Sequence, residues 1–215
     1  IKKKNKLLKA LSIRPKNQND LLKSEIEKGK NISEKKDWLW HQLLSAMSTM
    51  GNSRGYAGLI EEQKTYSKVA FSNLKQLKSL NQINDNLYDA LNTAKVRMPK
   101  TKTKWLINNW MMIEDCGGIE KIQTFILNTS GRATKIRMMK LFDGIGEKYA
   151  RNIFMGMYHK DFINSIAIDE RILDISGALE IDSKNIKYQE HENIFVQLAN
   201  EANISPWELD RLLYF

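Results

Sequence analysis

The sequence has one cysteine, three prolines and three histidines, and it contains no uninterrupted apolar run of about eighteen residues. Each shortage excludes a class of protein. With Cys116 alone, there is no intramolecular disulfide, no cysteine-rich zinc site and no four-cysteine iron–sulfur cluster. His41, His159 and His191 are too far apart in sequence to show metal-ligand spacing, so no metal and no cofactor is expected. Without a long apolar run nothing is expected to cross a membrane. The opening "IKKKNKLLKALSI" has neither a long apolar stretch nor a small-residue cleavage site, so no secretory signal is expected. These shortages together predict a cytoplasmic protein.

Apolar residues make up 42% of 215 residues, enough for one large domain or two small ones with a real core. The net charge of +9 is unevenly spread. Residues 1–36 hold twelve Lys/Arg against four Asp/Glu, while the remainder holds 22 against 21. A basic end of this kind attracts nucleic acid and acidic membrane alike.

Scarce proline and three-to-four spacing of apolar residues predict an all-α fold of ten or more short helices. Leu7, Leu8 and Leu11 mark a basic amphipathic helix that Pro15 ends. Ser33 is placed to cap a helix through "EKKDWLWHQLLSAMSTM". "GNSRGYAG" (Gly51–Gly58) reads as a loop. Further helices fit 59–70, 72–79, 84–95, 101–114, 118–128, 132–141, 147–158, 169–179, 187–203 and 206–214. The alternation in "FINSIAI" suits a strand, yet no sheet is available for it to join.

Gly144-Ile145-Gly146 separates two of these helices. Glycine there permits backbone angles closed to other residues and leaves room for an approaching group. Amides at the start of the next helix then form an anion site of the kind that holds a DNA phosphate without reading sequence. A glycine cap between two packed helices accounts for the same residues.

Three segments together resemble the helix-hairpin-helix DNA glycosylase superfamily, the endonuclease III-like and 8-oxoguanine glycosylase-like proteins. "LFDGIGEKYARNIFM" is similar to that family's "LPGVGRKTANVVL", with Leu141, Gly144, Gly146, Lys148 and Ala150 in register and Phe142-Asp143 replacing the usual proline. "SIAIDERI" (Ser165–Ile172) is similar to "TIAVDTHI", with Ile166, Ala167, Asp169 and Ile172 in register. "LLSAMST" (Leu43–Thr49) is similar to "LLSAQTT", with Met47 where relatives have a glutamine that probes the helix. The stretch from Lys148 to Asp169 is a few residues longer than in endonuclease III, and the cluster cysteines are absent, as in cluster-free branches.

The resemblance implies two helical domains with the active-site cleft between them. One is residues 37–156; the other joins 1–36 to 157–215. It also implies a monomeric base-excision enzyme that acts on double-stranded DNA containing a damaged base or an abasic site. Asp169 would supply the anion facing a cationic sugar, and as the first residue of a helix it is also a natural N-cap. Lys148 would be the amine that captures C1′ and makes the enzyme an AP lyase; the alternative is a phosphate-contacting lysine. Its place in the first turn of a helix, beside the positive end of the dipole, and partial burial both favour the neutral amine. Gly144, Ile145 and Gly146 would hold phosphate. Asn52, Ser53 and Arg54 are candidates for the wedge that opens the duplex. Lys100 and Lys102, in the basic run "KVRMPKTKTKW", are candidates for further DNA contacts, with a solvated face as the alternative. Trp207, Tyr214 and Phe215 are candidate pocket walls, although such spacing equally suits a core; Asp210 is placed to bond a purine edge or to serve a helix turn. Lysine without a cluster leans toward 8-oxoguanine, with oxidised pyrimidines or another modified base as alternatives. The rival functions are a monofunctional glycosylase and a non-catalytic DNA-binding protein.

Overall fold

Every regular element among the described residues is helical, in keeping with the all-α expectation. A computed structural model describes residues 2–13, 15–51, 54–182 and 185–214. In chain order the helices are α1 (Lys2–Ser12), α2 (Lys16–Ser33), α3 (Trp38–Thr49), α4 (Arg54–Tyr56), α5 (Gln63–Val69), α6 (Phe71–Leu74) and α7 (Leu80–Thr93). They continue with α8 (Pro99–Asp115), α9 (Ile119–Asn128), α10 (Arg132–Met139), α11 (Glu147–Gly156), α12 (Glu170–Ala178), α13 (Tyr188–Glu201) and α14 (Pro206–Leu212). A π-helical turn spans Ala57–Glu61 and a 3₁₀ turn spans Lys160–Phe162. None of these helices is long and apolar enough to cross a membrane.

The chain divides into two units: Lys35–Gly146, and Ile1–Glu34 together with Glu147–Phe215. The first is built around α3, with Leu39, Trp40, Leu43, Leu44 and Met47 wholly buried. Both ends of α3 are closed by long side chains from other helices. Asp37 gives its N-terminus no side-chain cap. Instead Gln123 of α9 accepts from the Leu39 N–H at 3.0 Å and donates to the Lys36 carbonyl at 2.9 Å. At the other end the Lys102 ammonium of α8 donates to the Met47 and Met50 carbonyls, each at 2.8 Å. A buried helix end needs such partners, because its terminal amides and carbonyls have none within the helix.

In the second unit, α2 lies close against the end of α11: a Cβ added to Gly29 would come within 2.7 Å of the Gly156 carbonyl oxygen. Trp207 of α14 is tied in twice. Its backbone N–H donates to the Ile163 carbonyl, and its indole N–H donates to Met155 O at 2.8 Å. Helix α11 therefore packs with the two chain ends, whereas the boundary read from the sequence grouped residues 147–156 with the preceding domain.

Three local expectations are corrected. Residues 16–33 form an eighteen-residue helix that the sequence pattern did not reveal, because only Leu22 and Gly29 on it are buried. Ser33 ends that helix, its hydroxyl donating to Lys30 O, and does not cap the next. Residues 54–58, read as part of a loop, are helical, in α4 and the start of the π-helical turn. Gly55 and Gly58 serve close packing there: an added Cβ would meet Ser48 O at 2.6 Å and Ala94 Cα at 2.9 Å respectively.

Candidate functional site

The two hairpin glycines do different jobs. Gly144 has a φ of +80°, and a Cβ there would lie 2.6 Å from Met47 Cε and 2.8 Å from the Trp105 ring. Gly146 has ordinary backbone angles, and an added Cβ would meet nothing within 4 Å. One glycine is needed inward by the fold; the other leaves the outward side of the turn open. Ile145 between them is buried. The preceding Asp143 is clamped by α8: its N–H donates to Asn109 Oδ1 at 2.7 Å, its carbonyl accepts from Asn109 Nδ2, and its carboxylate accepts from Asn108 Nδ2. Asn109 is itself buried, so the turn is held by a rigid polar group. Gly146 leads into α11, whose first amides have no acceptor within the helix.

Lys148 lies in the first turn of α11 and is half-buried. Among the described residues its amine makes no ion pair and no hydrogen bond; its contact is with the Tyr149 ring, 5.1 Å from the centroid. Asp169 is the N-cap of α12. Its Oδ1 accepts from the Ile172 N–H at 3.1 Å and has Arg171 Nε at 3.5 Å, while among the described residues Oδ2 takes no hydrogen bond. One carboxylate oxygen thus fixes the side chain to the helix and the other remains available. Lys148 and Asp169 belong to the same unit.

The extended stretch before Asp169, which has no sheet to join, has its amides satisfied by side chains. Ile166 N–H donates to Glu192 Oε1 at 3.2 Å, Ala167 N–H to Asp210 Oδ1 at 3.4 Å, and Ile168 N–H to the Tyr188 hydroxyl at 2.8 Å. Asp210 is therefore a buried support under this stretch, with Arg171 Nη2 at 3.4 Å and Arg211 Nε at 3.8 Å from its carboxylate. Burial raises its pKa despite those two guanidiniums and the Ala167 N–H, and nearby Asp169 raises it further. Glu192 pairs with Arg151 Nε at 3.0 Å, and both residues are buried. Arg151, Tyr188 and Glu192 were not singled out from the sequence. The Glu147–Arg151 spacing of one helical turn was visible, but the pairing of Arg151 with a residue 41 positions away was not.

The other candidates separate. Lys102 is a correction: it is fully buried at the end of α3, so it does not face a phosphate. Burial lowers its pKa, and Arg97 lowers it further. Lys100, two residues earlier in α8, is exposed, as is Arg54. Trp207 is buried in the core of its unit, a place that suits packing and not a pocket wall. Tyr214 is exposed, with the Arg171 guanidinium 5.1 Å from its ring centroid. Met47, at the position left in doubt as a strand probe, is wholly buried beneath the hairpin. Asn52, Ser53 and Phe215 lie outside the described residues. A depression of about 470 Å³ lined by Lys36, Phe71, Lys75 and Gly118 contains none of the candidate residues. No group of three or more His, Cys, Asp or Glu able to hold a metal occurs among the described residues.

No protein-family model and no curated protein matches the sequence. The fold does match solved structures. The 8-oxoguanine DNA glycosylase of Thermotoga maritima superposes with a TM-score of 0.75 over 98% of this chain and 95% of its own, at 17% identity. The 8-oxoguanine DNA glycosylase of Methanocaldococcus jannaschii gives 0.73 over 97% and 92%, at 16% identity. An 8-oxoguanine glycosylase/lyase from the same organism, in complex with a 15-mer DNA containing 8-oxoguanine, gives 0.69 over 91% and 89%, at 17% identity. The chain has the fold of these proteins over nearly its whole length.

Proposed function

We propose that this chain is a DNA base-excision glycosylase with AP-lyase activity, and that its substrate is 8-oxoguanine in double-stranded DNA. One observation carries the reading: in a chain folded like 8-oxoguanine DNA glycosylases, the second residue of the helix after the hairpin is a lysine that makes no ion pair or hydrogen bond among the described residues, and the anchored N-cap carboxylate lies in the same unit.

The chemistry begins with the damaged base leaving the stack, since its glycosidic bond is shielded within the duplex. As the bond from C1′ to the base nitrogen breaks, positive charge grows on the sugar. The Asp169 carboxylate, held by the Ile172 amide, stabilises that charge without having to reorient. The Lys148 amine attacks C1′ as the base departs with the bonding pair; the base gains a proton and the amine loses one. Opening of the sugar ring gives a Schiff base. Loss of a C2′ proton then expels the 3′ phosphate by β-elimination and cuts the strand. The outward side of the hairpin, with the leading amides of α11, holds a backbone phosphate, and exposed Lys100 and Arg54 add sequence-independent attraction.

Borohydride reduction during reaction with an 8-oxoguanine duplex tests this. The wild type should become covalently attached to the DNA, and Lys148→Gln should abolish both the adduct and the strand cut. Base release without any adduct would leave a monofunctional glycosylase. Neither release nor adduct would leave a DNA-binding protein.

A further inference from the structure

Lys148 and Asp169 are 21 residues apart, yet one network of buried and half-buried side chains reaches the residue before each of them, Glu147 and Ile168. Arg151, on the same helix as Lys148, is its centre. Its Nη1 donates to the Glu147 carbonyl at 3.1 Å and to the Glu147 carboxylate at 2.6 Å, gripping the turn that carries Lys148. Its Nε donates to Glu192 at 3.0 Å, and its guanidinium lies 4.3 Å from the centroid of the Tyr188 ring. Glu192 and Tyr188 are four residues apart on α13, so they share a helix face. That face meets the stretch leading to Asp169, where Ile166 N–H donates to Glu192 and Ile168 N–H donates to Tyr188. In an extended chain, alternate amides point to the same side. The intervening Ala167 N–H accordingly bonds to Asp210 of α14. Side chains of two helices thus take the place of neighbouring strands, and the last of these bonds falls one residue before the carboxylate.

We propose that Tyr188, acting with Arg151 and Glu192, is a positioning residue that fixes the Asp169 carboxylate against the Lys148 amine. The proposal rests on the glycosylase/lyase reading above. Tyr188 and Glu192 hold the approach to Asp169, Arg151 holds the turn of Lys148, and the guanidinium joins the two. An ordinary core would need only apolar packing here. A buried Arg–Glu pair costs desolvation that apolar residues would avoid, but it gives directional bonds that set a register. Because the geometry between a reacting centre and its stabilising charge is steep, a displacement of about 1 Å can cost about a hundredfold in rate.

The test is Tyr188→Phe, which removes the hydroxyl that accepts from Ile168 and keeps the ring beside Arg151. Two rates are compared. Single-turnover excision from an 8-oxoguanine duplex needs Asp169 aligned while the base departs. Borohydride trapping on a duplex that already contains an abasic site needs the Lys148 amine but no base departure, and its yield counts folded, competent sites. Excision per trapped site should fall roughly tenfold or more, with duplex affinity unchanged. Arg151→Lys should lower excision and trapping together, because it loosens both segments. Glu192→Gln retains an oxygen for the Ile166 amide and should preserve more excision than Glu192→Ala. Excision per trapped site at the wild-type rate in Tyr188→Phe, whatever its melting temperature, would overturn the positioning role and leave the glycosylase reading intact. A wild type that releases no base would overturn both.

Discussion

At the scale of single residues, Asp169 has two separable tasks. As N-cap it accepts the Ile172 amide, and as an anion it faces the proposed sugar cation. Asparagine caps a helix about as well as aspartate but carries no charge. Asp169→Asn should therefore melt within a degree or two of the wild type and lose excision by roughly a hundredfold or more. Asp169→Ala should lose both, with about 1 kcal/mol of stability gone as the cap disappears. Thermal melts beside excision rates separate the tasks. Excision near the wild-type rate in folded Asp169→Asn would reduce the residue to a cap. Asp210, which the sequence left open to a purine edge or a helix turn, is buried and accepts from the Ala167 N–H.

At the scale of the hairpin, the two glycines make opposite predictions. Gly144→Ala puts a methyl group against Met47 and Trp105 at a φ of +80°, and should cost about 1–3 kcal/mol of stability. Gly146→Ala meets no neighbour and needs no unusual backbone angle, so the protein should fold as before. Its methyl group nevertheless projects from the side proposed to receive phosphate. The expected result is unchanged melting with weaker binding to any duplex, damaged or not. Unchanged affinity on filter binding would take the phosphate away from this side of the turn. Sequence spacing identified the GIG turn, but it could not distinguish these glycines, because Met47 and Trp105 reach Gly144 only in the folded unit.

At the scale of the whole molecule, the excess of basic residues in 1–36 is carried on two helices instead of a loose tail. Lys3 and Lys4 pair with Glu180 and Glu201 at 3.2 and 2.8 Å, while Lys2, Lys6, Lys9, Lys16 and Lys23 are exposed. Truncation would remove Leu22 from the core and α2 from α11, so glutamine substitutions at the five exposed lysines are the cleaner probe. Each lost phosphate contact should flatten the slope of log K against log salt by about 0.9. Discrimination between damaged and undamaged duplex should stay the same. Lys102→Met is the control: it should leave the salt slope unchanged while costing about 1–3 kcal/mol of stability, because the Met47 and Met50 carbonyls lose their donor. An unaltered slope in the five-lysine variant would place the basic helices off the DNA.

Apolar spacing and scarce proline determined the all-helical class and most of the helices, whereas Lys148 and Asp169 were picked out by the resemblance of their segments to the glycosylase superfamily. The class and the helices are local properties, set by backbone sterics and by which side of a helix is apolar. Helix α2 was not legible, because its few buried residues gain their meaning only from α11 and α14, and the helical turns at 54–58 were hidden by glycines that exist for close packing. The fate of each charge was decided by tertiary structure. Lys100 and Lys102 are two residues apart in one basic run, yet one is exposed and the other closes α3. Arg151 was not singled out from the sequence, because its partner Glu192 lies 41 positions later and is brought to it only by the fold. A charge in water and a charge in a core obey different energetics, and the sequence alone does not say which side chain will arrive to meet it.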